Sequence, residues 1–292
     1  MSRISLYWYR TERNFGDAFS PMAVRHCFGR EVSYGGKWSA DMVAEGSVLS
    51  FTLQRGLPSG QALSAAMLSV RAVLNRTMRA PLVVWGSGFL FPSSDGRRVK
   101  IRHPYVLALR GELTRREMVS QGLLDAKADI ALGDPGVFMP EVLGVIPERR
   151  FGRGVVLHAY YWQTGQAAQF AKEHPEIRLI DPRRSPQEVV RDIASCAEIV
   201  SSSLHGLVAA DALGIPNRWV ALETPFADAR RNRFKFDDYY SAVGLRREPC
   251  PARLAAGERV LDPLPTDAID RIKKDLRSAA ACSESCVGCR EV

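Results

Sequence analysis

Short apolar runs alternate with amphipathic stretches along most of this chain, and few folds accept that pattern. "ISLYWY" (Ile4–Tyr9), "SVLSF" (Ser47–Phe51), "PLVVW" (Pro81–Trp85), "YVLAL" (Tyr105–Leu109) and "DIAL" (Asp129–Leu132) read as buried strands. Helical stretches fall between them, near Asp17–Phe28, Ser59–Met78 and Gly111–Gln121. Strands apolar on both faces and separated by helices belong to a parallel sheet covered on both sides. The alternation stops at "MPEVLGVIPERRFGRG", where Pro140, Gly144, Pro147, Gly152 and Gly154 interrupt any regular element. It then restarts. "GVVLHAY", "IRLI", "EIV" and "RWVAL" read as strands, with helices over Thr164–Glu173, Pro186–Ser195 and Leu204–Leu213.

The pattern predicts an α/β protein of two tandem doubly wound, Rossmann-like domains, residues 1–147 and 148–292. "PTDAIDRIKKDLRSAAA" supplies a closing helix to the second, followed by a cysteine-bearing tail. Such a pair resembles the glycosyltransferase-B architecture, which binds ligands at the carboxyl ends of its strands, in the cleft between domains.

Composition narrows the function. Hydrophobic residues make up 46% of 292 and charged residues 25%, the profile of a folded globular protein. No apolar run has the length of a membrane span, and "RISLYWYR" near the start lacks the features of an export signal, so a cytoplasmic protein is expected. The net charge of +8 comes from arginines scattered in pairs, which argues against nucleic acid and for anionic small molecules or an anionic membrane surface. Cys282, Cys286 and Cys289 have a C-x3-C-x2-C spacing without a fourth ligand, so no metal is expected there.

Polar residues gather where strands hand over to helices. In "NFGDAFSP", Gly16 permits a tight turn and Asp17 is placed to cap a helix, with Asn14 beside them. Gly86, Ser87 and Gly88 expose backbone N–H groups able to cradle an anion. Arg110 ends a strand at the mouth of a helix, where the helix dipole disfavours a cation unless an anion sits between them. Asp134 lies in a Gly-Asp-Pro-Gly turn. Ser202 and Ser203 close another strand, and His205 stands at the following helix N-terminus, where a nearby anion would make it a general acid. His158 ends the first strand of the second half.

Together, "NFGD", "AEGSVLSF", "VVWGSG", "LRGELTRREM", "LGDPGVF", "VSSSLHGLVAADALGIP" and "RFKFDDYYSAVG" resemble the polysaccharide pyruvyl transferases, nearest to the ketal-pyruvate transferases of exopolysaccharides such as xanthan and succinoglycan. The resemblance covers most of Asn14 to Gly244. It implies transfer of pyruvate from phosphoenolpyruvate onto two hydroxyls of a sugar, giving a cyclic ketal and phosphate. It also implies an arginine at Arg110 for the donor and a histidine at His205 for acid chemistry. Some relatives carry an arginine where this chain has Ser203; Arg233 and Lys235, expected in a loop after the last strand, are candidates to replace it. On this reading Asp17 or Asp134 deprotonates the hydroxyl, His158 is a second acid candidate, and the chemistry needs no metal or organic cofactor. The acceptor implied is lipid-linked at the inner membrane face, with peripheral contact through Arg97, Arg98, Lys100 and Arg102. A nucleotide-sugar-dependent glycosyltransferase is the alternative with the same architecture.

Overall fold

The computed structural model describes residues 3–56, 81–91, 98–100, 102–221, 229–251 and 259–287. Its first half contains β1 (Ile4–Tyr7), α1 (Phe15–Phe28), β2 (Val32–Tyr34), β3 (Met42–Val43), α2 (Leu49–Thr52), β4 (Gln54–Gly56) and β5 (Leu82–Ser87). β6 (Arg98–Lys100), β7 (Pro104–Leu109), α3 (Glu112–Ser120) and β8 (Ala131–Leu132) complete it. Six of these strands form a sheet in the order β2-β1-β3-β5-β7-β8, every neighbouring pair parallel. β4 and β6 pair separately and antiparallel. The expected helix over Ser59–Met78 lies outside the described residues.

A 3-10 turn (Pro135–Phe138) and α4 (Met139–Leu143) lead out of this sheet, and Gly144 ends α4 in the left-handed conformation, φ 60°. The second half runs β9 (Phe151–Val156), α5 (Ala159–Gln163), α6 (Gln166–Glu173), β10 (Arg178–Ile180), α7 (Pro186–Ala194) and β11 (Cys196–Ser201). α8 (Leu204–Ala212), β12 (Asn217–Ala221), α9 (Ala229–Ser241), β13 (Cys250–Pro251) and α10 (Thr266–Val287) follow. Its five strands are again all parallel, in the order β10-β9-β11-β12-β13. Local sequence accounts for the sharper boundaries. Ser185 and Glu188 form a reciprocal capping box at the start of α7, with Pro186 in its first turn.

Three elements differ from the sequence reading. "SVLSF" is no strand: β3 takes that place in the sheet, and Gly46, at φ 102°, turns the chain into α2. Asn14, not Asp17, caps α1, its Oδ1 accepting from the Gly16 amide at 3.0 Å. "RFKFDDYY" is the body of α9, held down by Phe236 stacked on Trp219 with ring centroids 4.4 Å apart.

The halves share one apolar core. Phe15, Trp85 and Phe138 belong to the same buried cluster as Ile199, Val208 and Tyr240. α10 crosses back to the first sheet and packs on β5, β7 and β8. There the Trp85 indole N–H donates to the Leu276 carbonyl at 3.0 Å, and Ile272 fills the space that a side chain at Gly133 would need. No helix among the described residues is long and apolar enough to cross a membrane.

Candidate active site

Strands β1, β3, β5, β9 and β11 point their carboxyl ends at one cavity of about 240 Å³. Tyr9, Glu12, Arg13, Asn14 and Asp17 line it from the first half, with Ser47, Val48 and Leu90. His158, Ala159, Ser203, Leu204, His205 and Lys235 line it from the second. This is where an open parallel sheet places its ligands, because the loops between strand ends and helix N-termini are free to carry function.

His205 sits in the first turn of α8 and is 7% exposed. Its ring passes so close to Gly16 that a Cβ there would fall 1.9 Å from Nδ1, which is why the "NFGD" turn needs glycine. Burial, reinforced by the charges of Lys235 and Arg110, pushes the imidazole down to about 3, so it is neutral at physiological pH. Nε2 faces Glu45, 3.3 Å from Oε1. Glu45 is fully buried, and burial with the neighbouring Asp134 and Asp17 carboxyls holds it well above the usual carboxylate range.

Around this pair the wall carries both signs of charge, Arg13 and Lys235 against Glu12 and Asp17. Ser203 precedes α8 without a side-chain cap, while its own backbone N–H and carbonyl are taken by the Ser201 hydroxyl. The α8 N-terminus therefore faces the cavity with its first amides uncapped, a ready anion site. Lys235 reaches in from α9. No hydrogen-bond acceptor for its ammonium stands among the described residues, and burial and then Arg110 lower it to about 8. Asp17 opposes it, pushed up to about 7 by burial, with Lys235 pulling the other way. His158 caps α5, its Nδ1 accepting from the Tyr160 amide at 3.3 Å; burial and Lys235 push it down to about 3.

Several residues expected in this cavity stand elsewhere. Arg110 is fully buried: Nε donates to Asp238 at 2.8 Å, Nη1 to the Ser47 hydroxyl at 2.5 Å and Nη2 to the Phe89 carbonyl at 2.6 Å. Its guanidinium fills the space above Gly88, so it reaches the cavity through its field and not by contact. Gly86, Ser87 and Gly88 serve the turn: Gly86 has φ 78°, and the Ser87 hydroxyl donates to the Gly46 carbonyl at 2.8 Å. The Ser202 hydroxyl accepts from the His158 amide at 2.9 Å. Asp134 caps the 3-10 turn through Gly136 and lies beside Glu45 and His205, raised to about 6 by burial. Arg233 turns to the surface, paired with Asp237 at 2.7 Å and with both oxygens of Glu248 at 2.6 and 2.8 Å. Arg102 is buried and donates to the Ala40 carbonyl, so it is no surface charge; Arg97 lies outside the described residues.

Sequence reasoning missed Glu45 and Asp238. Both lie in strings already singled out, "AEGSVLSF" and "RFKFDDYYSAVG", but a lone acidic residue gives no sign of a partner more than a hundred positions away.

Two parallel sheets whose strand ends share one imidazole-bearing cavity define an α/β protein with a site for a small ligand between its halves. Residues 68–224, more than half the chain, match the family model described as polysaccharide pyruvyl transferase, and the chain belongs to that family. It is similar to the succinoglycan biosynthesis protein ExoV of Rhizobium meliloti (strain 1021), 29% identical over 206 residues that cover 65% of this chain and 58% of that one. It is also similar to the uncharacterised protein L143 of Acanthamoeba polyphaga mimivirus, 27% identical over 173 residues, covering 57% of this chain and 56% of the other. The chain thus spans little more than half the length of these curated relatives. Among solved structures, an uncharacterised Klebsiella pneumoniae protein covers 82% of this chain (91% of its own) at 12% identity and TM-score 0.41. The E. coli heptosyltransferase WaaC, solved with ADP, covers 94% (100% of its own) at 13% identity and TM-score 0.35. Scores this low carry nothing over to this chain, and the architecture rests on its own strand pairing.

Proposed function

We propose that this protein transfers pyruvate from phosphoenolpyruvate to two hydroxyls of an exopolysaccharide sugar, forming a cyclic ketal and releasing phosphate. One observation carries the reading beyond family membership. An ammonium without a hydrogen-bond acceptor among the described residues, a helix N-terminus without a side-chain cap and an imidazole meet in one cavity at the strand ends. That combination suits a small, highly charged anion that must also exchange a proton.

The steps follow from the donor's chemistry. Lys235 and the α8 amides hold the phosphate and carboxylate, with Arg110 adding its field from beneath. Carbon 3 takes a proton from His205, and carbon 2 becomes oxocarbenium-like. The first sugar hydroxyl bonds to carbon 2 as Asp17 takes its proton. The second hydroxyl replaces phosphate at carbon 2, and its proton leaves on the phosphate. Asp17 is the better placed of the two candidate bases: it lines the cavity and titrates near neutrality, whereas Asp134 does not line it. His158, neutral and tied to the α5 N-terminus, orients and does not supply the proton. The acceptor proposed is lipid-linked at a membrane surface.

Phosphate release from phosphoenolpyruvate in the presence and absence of a saccharide acceptor tests the reading. Release that requires the acceptor is expected. Release indifferent to the acceptor, or turnover of a nucleotide sugar and not of phosphoenolpyruvate, would overturn it.

A further inference from the structure

The proton delivered to carbon 3 has to be stored in the resting protein, and a neutral imidazole brings none to spare. Beside His205 lies a group otherwise unexplained. Glu45 follows β3, is 0% exposed, and neither of its carboxyl oxygens has a hydrogen-bond partner of good geometry. Nε2 of His205, 3.3 Å away, is likewise without one, as is Oδ2 of Asp134. Buried polar atoms are rarely left this way, because each costs the desolvation of an unmade bond. Several converging at one point share something mobile.

We infer that Glu45 is the proton reservoir of His205: its carboxyl group gives a proton to Nε2 as Nδ1–H gives one to the donor's carbon 3. The inference rests on the reading of His205 as the acid. The ring geometry fits such a relay. Nε2 faces Glu45 and Asp134, while Nδ1 lies over Gly16, between the cavity-lining Asn14 and Asp17. No imidazolium has to persist beside Lys235 and Arg110. The protons balance: Glu45 loses one, the imidazole passes one through, carbon 3 gains one, and Asp17 holds the one lost by the first hydroxyl. Glu45 is sealed from the cavity and refills through His205, and Asp17 releases its proton to water there. Burial and the two flanking carboxyls raise Glu45 well above the usual carboxylate range, which favours its protonated form. Glu45 acts through His205 and is a positioning and proton-storing residue.

A divalent cation on Glu45, Asp134 and His205, whose ligand atoms lie within 4.8 Å of one another, is the competing occupant. Lys235 and Arg110 beside them disfavour it.

The test is Glu45→Gln in the full chain. Glutamine keeps the shape and offers Nε2 an N–H, but surrenders no proton. We expect turnover to fall about 100-fold, the usual scale of an acid–base contribution, with the KM for phosphoenolpyruvate changed less than about threefold. Glu45→Asp should recover part of the loss. At saturating donor, wild-type kcat should fall at alkaline pH as Glu45 loses its proton, and the Gln variant should lack that limb. Loss of charge on Lys235 appears in KM instead, and the Asp17 and Asp134 titrations lie on the acid side. Should the Gln variant not fold, the wild-type kcat profile decides. A Gln variant above about a third of wild-type turnover, a kcat without an alkaline limb, or a stoichiometric metal in the purified protein would each overturn the proposal. An inactive wild type would instead strike the functional reading itself.

Discussion

Lys235 carries a charge that nothing among the described residues neutralises by hydrogen bond, at the wall of a cavity that also holds Asp17. Removing it with Lys235→Gln should raise the KM for phosphoenolpyruvate about 10- to 100-fold, the range expected when a bond to a charged group worth roughly 1.5–3 kcal/mol is lost. The change in kcat should be smaller, and steady-state kinetics separates the two. An unmoved KM would take the ammonium out of the donor site. Gly16 makes a second demand at the same scale. A methyl group at Gly16 would land 1.9 Å from His205 Nδ1, so the imidazole has to swing aside. Gly16→Ala is expected to cost on the order of 100-fold in turnover, as an ångström-scale misplacement of a reacting group does. Its thermal midpoint should move little, since the cavity leaves the ring somewhere to go. Activity near wild type would mean that the observed ring position is not the working one.

At the scale of elements, the buried Arg110–Asp238 pair ties α9 to the mouth of α3. Asp238 also accepts from the Thr114 amide and hydroxyl, both at 2.7 Å, and so caps α3 from a distance. Breaking one partner leaves an uncompensated charge inside, a loss typically of about 3–5 kcal/mol. Asp238→Asn should therefore lower the urea midpoint strongly and shift Lys235, one turn earlier on α9. A variant as stable as wild type would show that Arg110 finds another acceptor. The clamp also explains what the sequence could and could not say. Arg110 stands out locally because a cation at a helix mouth is unfavourable, and that anomaly is real. In the structure a carboxylate 128 positions further along answers it, and no local pattern carries that pairing. Strand and helix periodicity, by contrast, is local, so β5, β7, β9, β11, α7 and α8 were legible from their own residues. β3, two residues long, and α2 were not, because a turn fixed by Gly46 decides both. His205 was legible as a residue at a strand end, and it lines the cavity; Glu45, which its ring faces, was not legible.

Over the whole molecule, buried ionisable groups make stability depend on pH in opposing directions. His205 and His158 are held near 3 against an ordinary value of about 6.5. Between these values the unfolded chain binds more protons, so their contribution is complete above about pH 6.5 and is lost as pH falls toward 3. Asp17 and Asp134, raised to about 7 and 6, act the other way, favouring the folded state as pH falls through that range. His205→Gln should isolate the first effect. Between pH 7 and pH 5 its unfolding free energy should drop about 2 kcal/mol less than that of wild type, measured by urea titration. Equal drops would mean that His205 is not neutral in the folded protein. The path of α10 has a different consequence. The strands of the first sheet end at Leu132, yet Ile272 and Leu276 of α10 complete the cover of the face they offer at Trp85 and Gly133. A ribosome adding roughly 5–20 residues per second takes on the order of ten seconds or more to make the intervening stretch. During that interval the sheet of the nascent chain stays incompletely covered, until α10 emerges to seal it.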